Sequence, residues 1–125
     1  MIIVNDCEYP KSIVDLIKES GIKFYLTGSR YFGNSRPESD WDFFTCHTTA
    51  AVIWIVDNGF EEVSIYGDDQ TTYVYRKENV HVQLIKNIDL KIKAQEIIIR
   101  HGLYGVTKEW RRQIWNAIFN ALETA

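Results

Sequence analysis

Two aspartates that flank a single residue, Asp40 and Asp42, follow the pair Gly28-Ser29 after ten intervening residues. Alternate residues of a β-strand point to the same face, so a strand through this segment places both carboxylates side by side. Two negative charges so near to each other are unfavourable unless a cation lies between them or one of them takes up a proton. Mg²⁺ is usually held by one or two carboxylates together with substrate phosphates. The spacing therefore predicts a site for a metal and a nucleotide, with the Gly-Ser turn near the phosphates.

The elements that must position these residues can be predicted from apolar periodicity and from turn-forming residues. The predicted helices, with apolar residues at steps of three and four, cover 12–21, 48–58, 89–101 and 107–122. The predicted strands, rich in β-branched and aromatic residues, cover 22–27, 41–45, 62–66, 71–76 and 80–85. A polar loop is expected over 30–39, because it contains glycine, asparagine and proline.

This order of helix, strand, strand, helix, three strands and two helices predicts an α/β (α+β) domain. We expect a mixed β-sheet of about five strands with helices packed on it, the last three strands forming a meander. A single domain over 1–125 is expected, with a sheet core and two helices over 1–87 and C-terminal helices over 88–125.

Bulk composition excludes some classes of protein. A net charge of -3 argues against broad electrostatic binding to nucleic acid, although it allows a small basic pocket for a nucleotide. Cys7 and Cys46 have no metal-ligand spacing and form no disulfide framework, which favours a reduced, intracellular protein. We find neither a signal-peptide pattern nor an apolar stretch long enough to cross a bilayer. The sequence therefore predicts a cytoplasmic protein without a membrane partner.

The segment 24–44 resembles the DNA polymerase β-like nucleotidyltransferase superfamily, because Gly28-Ser29 and Asp40-Trp41-Asp42 match its signature in type and spacing. Further residues are similar to its minimal nucleotidyltransferases, which include the antitoxin partners of small helical ribonuclease toxins: Arg30, Gly33, Arg36, Pro37 and Ser39. The resemblance implies a mixed sheet with helices on one side and a site at the strand ends. It also implies transfer of a nucleoside monophosphate from a nucleoside triphosphate to a hydroxyl or similar acceptor.

The resemblance assigns roles by position. Asp40 and Asp42 would be catalytic and hold one or two Mg²⁺ (or Mn²⁺) ions, which stabilise the attacking and leaving oxygens of an in-line displacement. Gly28 and Ser29 would bind the nucleotide, since glycine lets backbone N–H groups approach phosphate oxygens closely.

Arg30 or Arg36 would neutralise charge on the phosphates, because the fork of a guanidinium suits them. Alternatively, both arginines are ordinary surface charges.

The family also places a third carboxylate on a later strand, where it helps to activate the attacking hydroxyl. The matching segment, 80–85, contains no Asp or Glu, and His81 or Gln83 would occupy that position. Histidine can ligate metals, but Mg²⁺ prefers oxygen, and a Gln carbonyl is only a neutral substitute for a carboxylate. Acids in nearby turns are alternatives for the third position: Asp68, Asp69 and Glu78.

Two functions therefore remain open. One is a nucleotidyltransferase that uses a metal-bound nucleoside triphosphate and an unidentified acceptor, which could be a protein, an RNA end or a small molecule. The other is a catalytically inactive relative that binds a nucleotide or a protein partner.

Aromatic residues near these motifs also allow more than one interpretation. Trp41 should point away from the two acids and into the core. Tyr31 and Phe32 would either stack on a base or anchor the loop. The run Trp110-Arg111-Arg112 is typical of a solvated helix face. The apolar stripe of the last helix is typical of a buried core. A homo-oligomer that forms through the C-terminal helices is the alternative.

Overall fold

The computed structural model describes residues 2–4, 7–9, 11–33, 35–64, 68–103 and 108–124, with side chains described for 15–33, 35–64, 68–103 and 110–124. The strands are β1 (Ile2–Val4), β2 (Cys7–Tyr9), β3 (Tyr25–Thr27), β4 (Trp41–Cys46), β5 (Glu61–Val63), β6 (Thr71–Lys77) and β7 (Val80–Ile85). The helices are α1 (Lys11–Glu19), α2 (Ser29–Phe32), α3 (Thr49–Asp57), α4 (Ile88–Arg100) and α5 (Lys108–Thr124).

Five of the strands form one mixed sheet in the order β3-β4-β7-β6-β5. The central pair, β4 and β7, is parallel, whereas every other neighbouring pair in this sheet is antiparallel. The predicted mixed five-stranded sheet of an α+β fold is thus confirmed, as is the meander of the last three strands. A separate antiparallel pair, β1 with β2, was not predicted.

One face of the sheet packs on α1 and α3. From the helices, this core contains Ile17 of α1 and Ala51 and Ile55 of α3. From the sheet, it contains alternate residues of β4 and β7: Trp41, Phe43, Val80, Val82 and Leu84. The prediction that Trp41 points into the core is confirmed, since only 9% of its surface is exposed.

The other face of the sheet lies under α4 and α5. The Gln95 carboxamide of α4 accepts a hydrogen bond from Thr27 Oγ1 at 2.7 Å and donates one to the Leu26 carbonyl at 3.0 Å. A second core joins the two helices through Leu90, Ala94, Ile98, Trp115 and Phe119. The apolar stripe of α5 is therefore partly core, as predicted. Helices cover both faces, so the expectation of helices on one side is wrong.

Two local differences from the prediction lie next to the candidate site. Residues 29–32 form the short helix α2 instead of a loop, because the Gly28 carbonyl accepts hydrogen bonds from the Tyr31 and Phe32 N–H groups at 3.1 and 3.0 Å. The predicted strand over 62–66 is β5, which ends at Val63, and residues 65 and 66 lie outside the described residues. No helix in the described part of the chain is long and apolar enough to cross a membrane.

Candidate functional site

Gly28 and Asp42 are neighbours across the first strand pair. Antiparallel pairing of β3 with β4 sets Thr27 opposite Asp42, and the chain leaves β3 at Gly28. Gly28 has a φ of 69°, a region that L side chains rarely adopt, and a Cβ at this position would collide with Oδ2 of Asp42. Glycine allows this approach without a shift of Asp42, and the contact joins the Gly-Ser turn and the acidic pair in one site.

Both aspartates converge on one imidazole. Parallel pairing sets His81 of β7 directly opposite Asp42 of β4. The His81 Nδ1 atom lies 3.3 Å from Oδ1 of Asp42 and 3.7 Å from Oδ2 of Asp40, which precedes β4. The structure therefore places a histidine of β7 in contact with both acids.

A cavity of about 520 Å³ lies over this part of the sheet, and six predicted site residues line it: Gly28, Ser29, Asp40, Asp42, His81 and Gln83. Phe32 lines it as well, and its ring packs edge-on against that of Trp115 with 6.3 Å between centroids. A volume of this size lies within the range typical of small-ligand sites.

The two arginines predicted for the phosphates are not among the lining residues. The Arg30 guanidinium lies 4.3 Å from the centre of the Trp41 ring and donates to the carbonyls of Ser39 at 2.9 Å and Pro37 at 3.2 Å. Arg30 thus holds the loop that precedes β4. Arg36 is exposed, with Glu38 4.0 Å away.

Other cations line the cavity instead: Arg76 of β6 and Arg111 and Arg112 of α5. In the sheet register, Arg76 of β6 is opposite His81 of β7, and His81 is opposite Asp42 of β4. The three residues therefore lie side by side on adjacent strands. The two-residue turn between Lys77 and Val80 was a usable signal for Arg76, since such a turn fixes the register of the hairpin. No comparable signal located the two arginines of α5.

Two buried residues that line the cavity form an ion pair that the sequence did not predict. The Lys91 ammonium of α4 binds the Asp68 carboxylate and lies 4.1 Å from the centre of the Trp115 ring. Burial lowers the pKa of Lys91 below its usual value, and the neighbouring Asp68 opposes that shift only in part. Asp68 therefore reaches the cavity, but as the partner of Lys91 rather than of the acidic pair.

The acidic pair can be tested for its fit to a metal ion. Among the described residues, no group of three or more His, Cys, Asp or Glu side chains is arranged to hold one. Asp40 and Asp42 nevertheless direct one carboxylate oxygen each towards a common point at His81. Two carboxylates suffice for Mg²⁺ when phosphates supply further oxygens. The two carboxylates alone would therefore hold such an ion only together with oxygens from a ligand.

Comparison with protein-family models, with curated proteins and with solved structures finds no match for this chain.

Proposed function

We propose that the protein binds a nucleoside triphosphate with Mg²⁺ (or Mn²⁺) in this cavity and transfers the nucleoside monophosphate to an acceptor hydroxyl. The observation that supports it is the contact between Gly28 and Asp42, which has no room for a Cβ atom. It brings the Gly28-Ser29 turn, which would bind phosphate, against one of the two carboxylates that would hold the metal. The resemblance over 24–44, which rests on the same residues, implies the same function.

Charge in the cavity suits a triphosphate. Asp40 and Asp42 lie at one side, where they would hold the metal, and the arginines of β6 and α5 line the same space. Arginine pairs well with phosphate oxygens through its planar fork of donors. The Ser29 hydroxyl would add a further donor next to Gly28. The bound metal would supply Lewis-acid stabilisation of the charge on the phosphoryl oxygens.

The transfer step forms a bond between the acceptor oxygen and the α-phosphorus, while the bond to the leaving pyrophosphate breaks. A group near the acidic pair must accept the proton of the attacking hydroxyl. His81 is the titratable group that the structure brings closest to both acids, at 3.3 and 3.7 Å. We assign it the place of the third carboxylate in this proposal.

The proposal is tested by incubating the protein with radiolabelled nucleoside triphosphates, Mg²⁺ or Mn²⁺, and candidate acceptors of the three classes: protein, RNA ends and small molecules. Label should pass to an acceptor with the wild type and be lost with Asp42→Asn. Asp57→Asn is the matched control, because Asp57 is an exposed residue at the end of α3, outside the cavity. Equal transfer by both variants would contradict the proposal.

A second candidate is a protein that binds the nucleotide without transferring it, and the lack of an Asp or Glu in β7 favours it. Calorimetric binding of each nucleoside triphosphate with Mg²⁺ separates the two candidates. Metal-dependent binding that Asp42→Asn removes, without label transfer to any acceptor class, would support the binding protein. Under the first candidate, His81→Asn should abolish transfer while nucleotide binding persists.

A further inference from the structure

The two aspartates differ in how their positions are fixed. Asp42 lies within β4, where Thr27 and His81 are its strand partners on either side. Asp40 precedes β4, belongs to no helix or strand, and has a side chain that is 49% exposed. The pairing of the strands therefore fixes Asp42 but ends before Asp40, although a metal held by the pair needs both carboxylates in place.

One guanidinium contacts both neighbours of Asp40 in the chain. The Nη2 atom of Arg30 donates to the Ser39 carbonyl at 2.9 Å, and the guanidinium carbon lies 4.3 Å from the centre of the Trp41 ring. Arg30 belongs to α2, directly after the Gly28-Ser29 turn. Its side chain therefore links that turn to the backbone on each side of Asp40.

The loop that Arg30 binds is closed by its own hydrogen bonds. The Ser39 N–H donates to the Arg36 carbonyl at 3.0 Å, and the Arg36 N–H donates to Oγ of Ser39 at 2.8 Å. The Arg30 guanidinium also donates to the Pro37 carbonyl of this loop at 3.2 Å. Because the loop is closed in this way, a guanidinium that holds two of its carbonyls also holds the backbone that leads to Asp40.

We infer that Arg30 is a positioning residue of the metal site, which keeps the Asp40 carboxylate next to that of Asp42 by holding both neighbours of Asp40. The planar guanidinium suits this task, because it donates several hydrogen bonds and stacks on an aromatic ring, whereas the ammonium of a lysine is a point charge. Residues that orient metal ligands typically contribute about tenfold to a hundredfold to metal affinity. This inference rests on the proposed function, to whose metal site it adds a residue.

The test measures calorimetric binding of ATP, GTP, CTP and UTP, each with Mg²⁺. Arg30→Ala should weaken binding by about tenfold, and Arg30→Lys, which keeps the positive charge without the planar fork, should cause a similar loss. In the Asp40→Asn background, Arg30→Ala should cause no further loss, because the arginine acts through that carboxylate. Arg36→Ala, an exposed arginine of the same loop, is the matched control. Thermal melting checks that each variant folds, and Arg30→Lys carries the test if Arg30→Ala does not fold.

The outcomes separate this inference from the proposed function. Equal losses from Arg30→Ala in the wild type and in Asp40→Asn would overturn the inference and assign the arginine to the phosphates. Wild-type affinity in either folded Arg30 variant would also overturn it. In both cases the proposed function stands. If the wild type binds none of the four nucleoside triphosphates with Mg²⁺, the proposed function fails and the inference fails with it.

Discussion

The Nδ1 atom of His81 lies 3.3 Å from Oδ1 of Asp42, on two parallel strands that pair these residues directly. A carboxylate at this position would add a third negative charge to Asp40 and Asp42, and a cation would have to compensate the cluster. A neutral imidazole adds no negative charge, and its Nδ1 atom, which lies near both acids, can carry the proton and face them as an N–H group. The acidic pair is therefore compatible with a folded protein before any metal binds.

His81→Asp should make the stability of the protein depend on divalent metal. Three carboxylates at this point repel one another without a cation, so we expect a lower melting temperature than that of the wild type in EDTA. Magnesium chloride should raise the melting temperature of the variant more than that of the wild type, because an ion that binds only the folded state stabilises it. His47→Asp, an exposed change beyond the cavity, is the control. An equal magnesium response in all three proteins would contradict the expectation.

Gly28→Ala should be more harmful than the same change at another glycine with positive φ. Gly21 has a φ of 76° and nothing within 4 Å of the added Cβ, so Gly21→Ala carries only the backbone cost of about 1–2 kcal/mol. Gly28→Ala adds a collision with Asp42, and we expect a loss of more than about 3 kcal/mol in the free energy of unfolding. Urea unfolding measures both. Similar losses would mean that Asp42 moves aside at little cost.

Arg30→Ala should reduce stability, whereas Arg36→Ala should not. Arg30 donates to two loop carbonyls and lies over the Trp41 ring, contacts that together contribute on the order of 2 kcal/mol. Arg36 is an exposed cation 4.0 Å from Glu38, and such pairs contribute little. Chemical denaturation of the two variants gives the comparison. If instead Arg36→Ala selectively weakens nucleotide binding, this arginine reaches the ligand in solution.

Local patterns in the sequence predicted much of the fold. Apolar periodicity located α1, α3, α4 and α5, and alternation within β4 predicted that Trp41 is buried while the acids lie on the opposite face. The short strands β1 and β2, of three residues each, are too brief for such a pattern. The helix α2 spans only four residues, and its hydrogen bonds go to the carbonyls of Gly28 and Ser29.

The candidate site was predictable only where its residues are close in sequence. Gly28, Ser29, Asp40 and Asp42 come from one segment, but the cations that accompany them come from β6 and α5. The sequence predicts that Arg30 binds phosphate because it follows Gly28-Ser29 directly, whereas its guanidinium donates hydrogen bonds to loop carbonyls. The register of the β6–β7 hairpin places Arg76, whereas Arg111 and Arg112 reach the cavity only through the docking of α5, and this tertiary packing leaves no local signal.

Lys91→Met should be strongly destabilising, and the double variant Asp68→Asn/Lys91→Met should recover much of the loss. Removal of Lys91 alone leaves the Asp68 carboxylate buried without its partner, which typically costs about 3–5 kcal/mol. Asparagine at 68 carries no charge and keeps an acceptor for the Gln70 N–H, which now binds Oδ1 at 3.0 Å. Urea unfolding of Asp68→Asn, Lys91→Met and the double variant, with Lys93→Met as an exposed control on the same helix, measures the coupling. Additive losses would show that the two side chains do not stabilise each other.

Stability should also depend on pH through Lys91. Burial lowers the pKa of Lys91 below its usual value of 10.5, so between the lowered pKa and 10.5 the folded chain binds fewer protons at this group than the unfolded chain. The free energy of unfolding then rises with pH across that window, and the contribution of Lys91 is smallest below it. Burial raises the pKa of Tyr75, which acts in the opposite direction but is common to wild type and variants. The unfolding free energy of the wild type minus that of Asp68→Asn/Lys91→Met should therefore increase as pH approaches 10.5. A difference that falls with pH would mean that the attraction of Asp68 outweighs burial and that the pKa of Lys91 is raised.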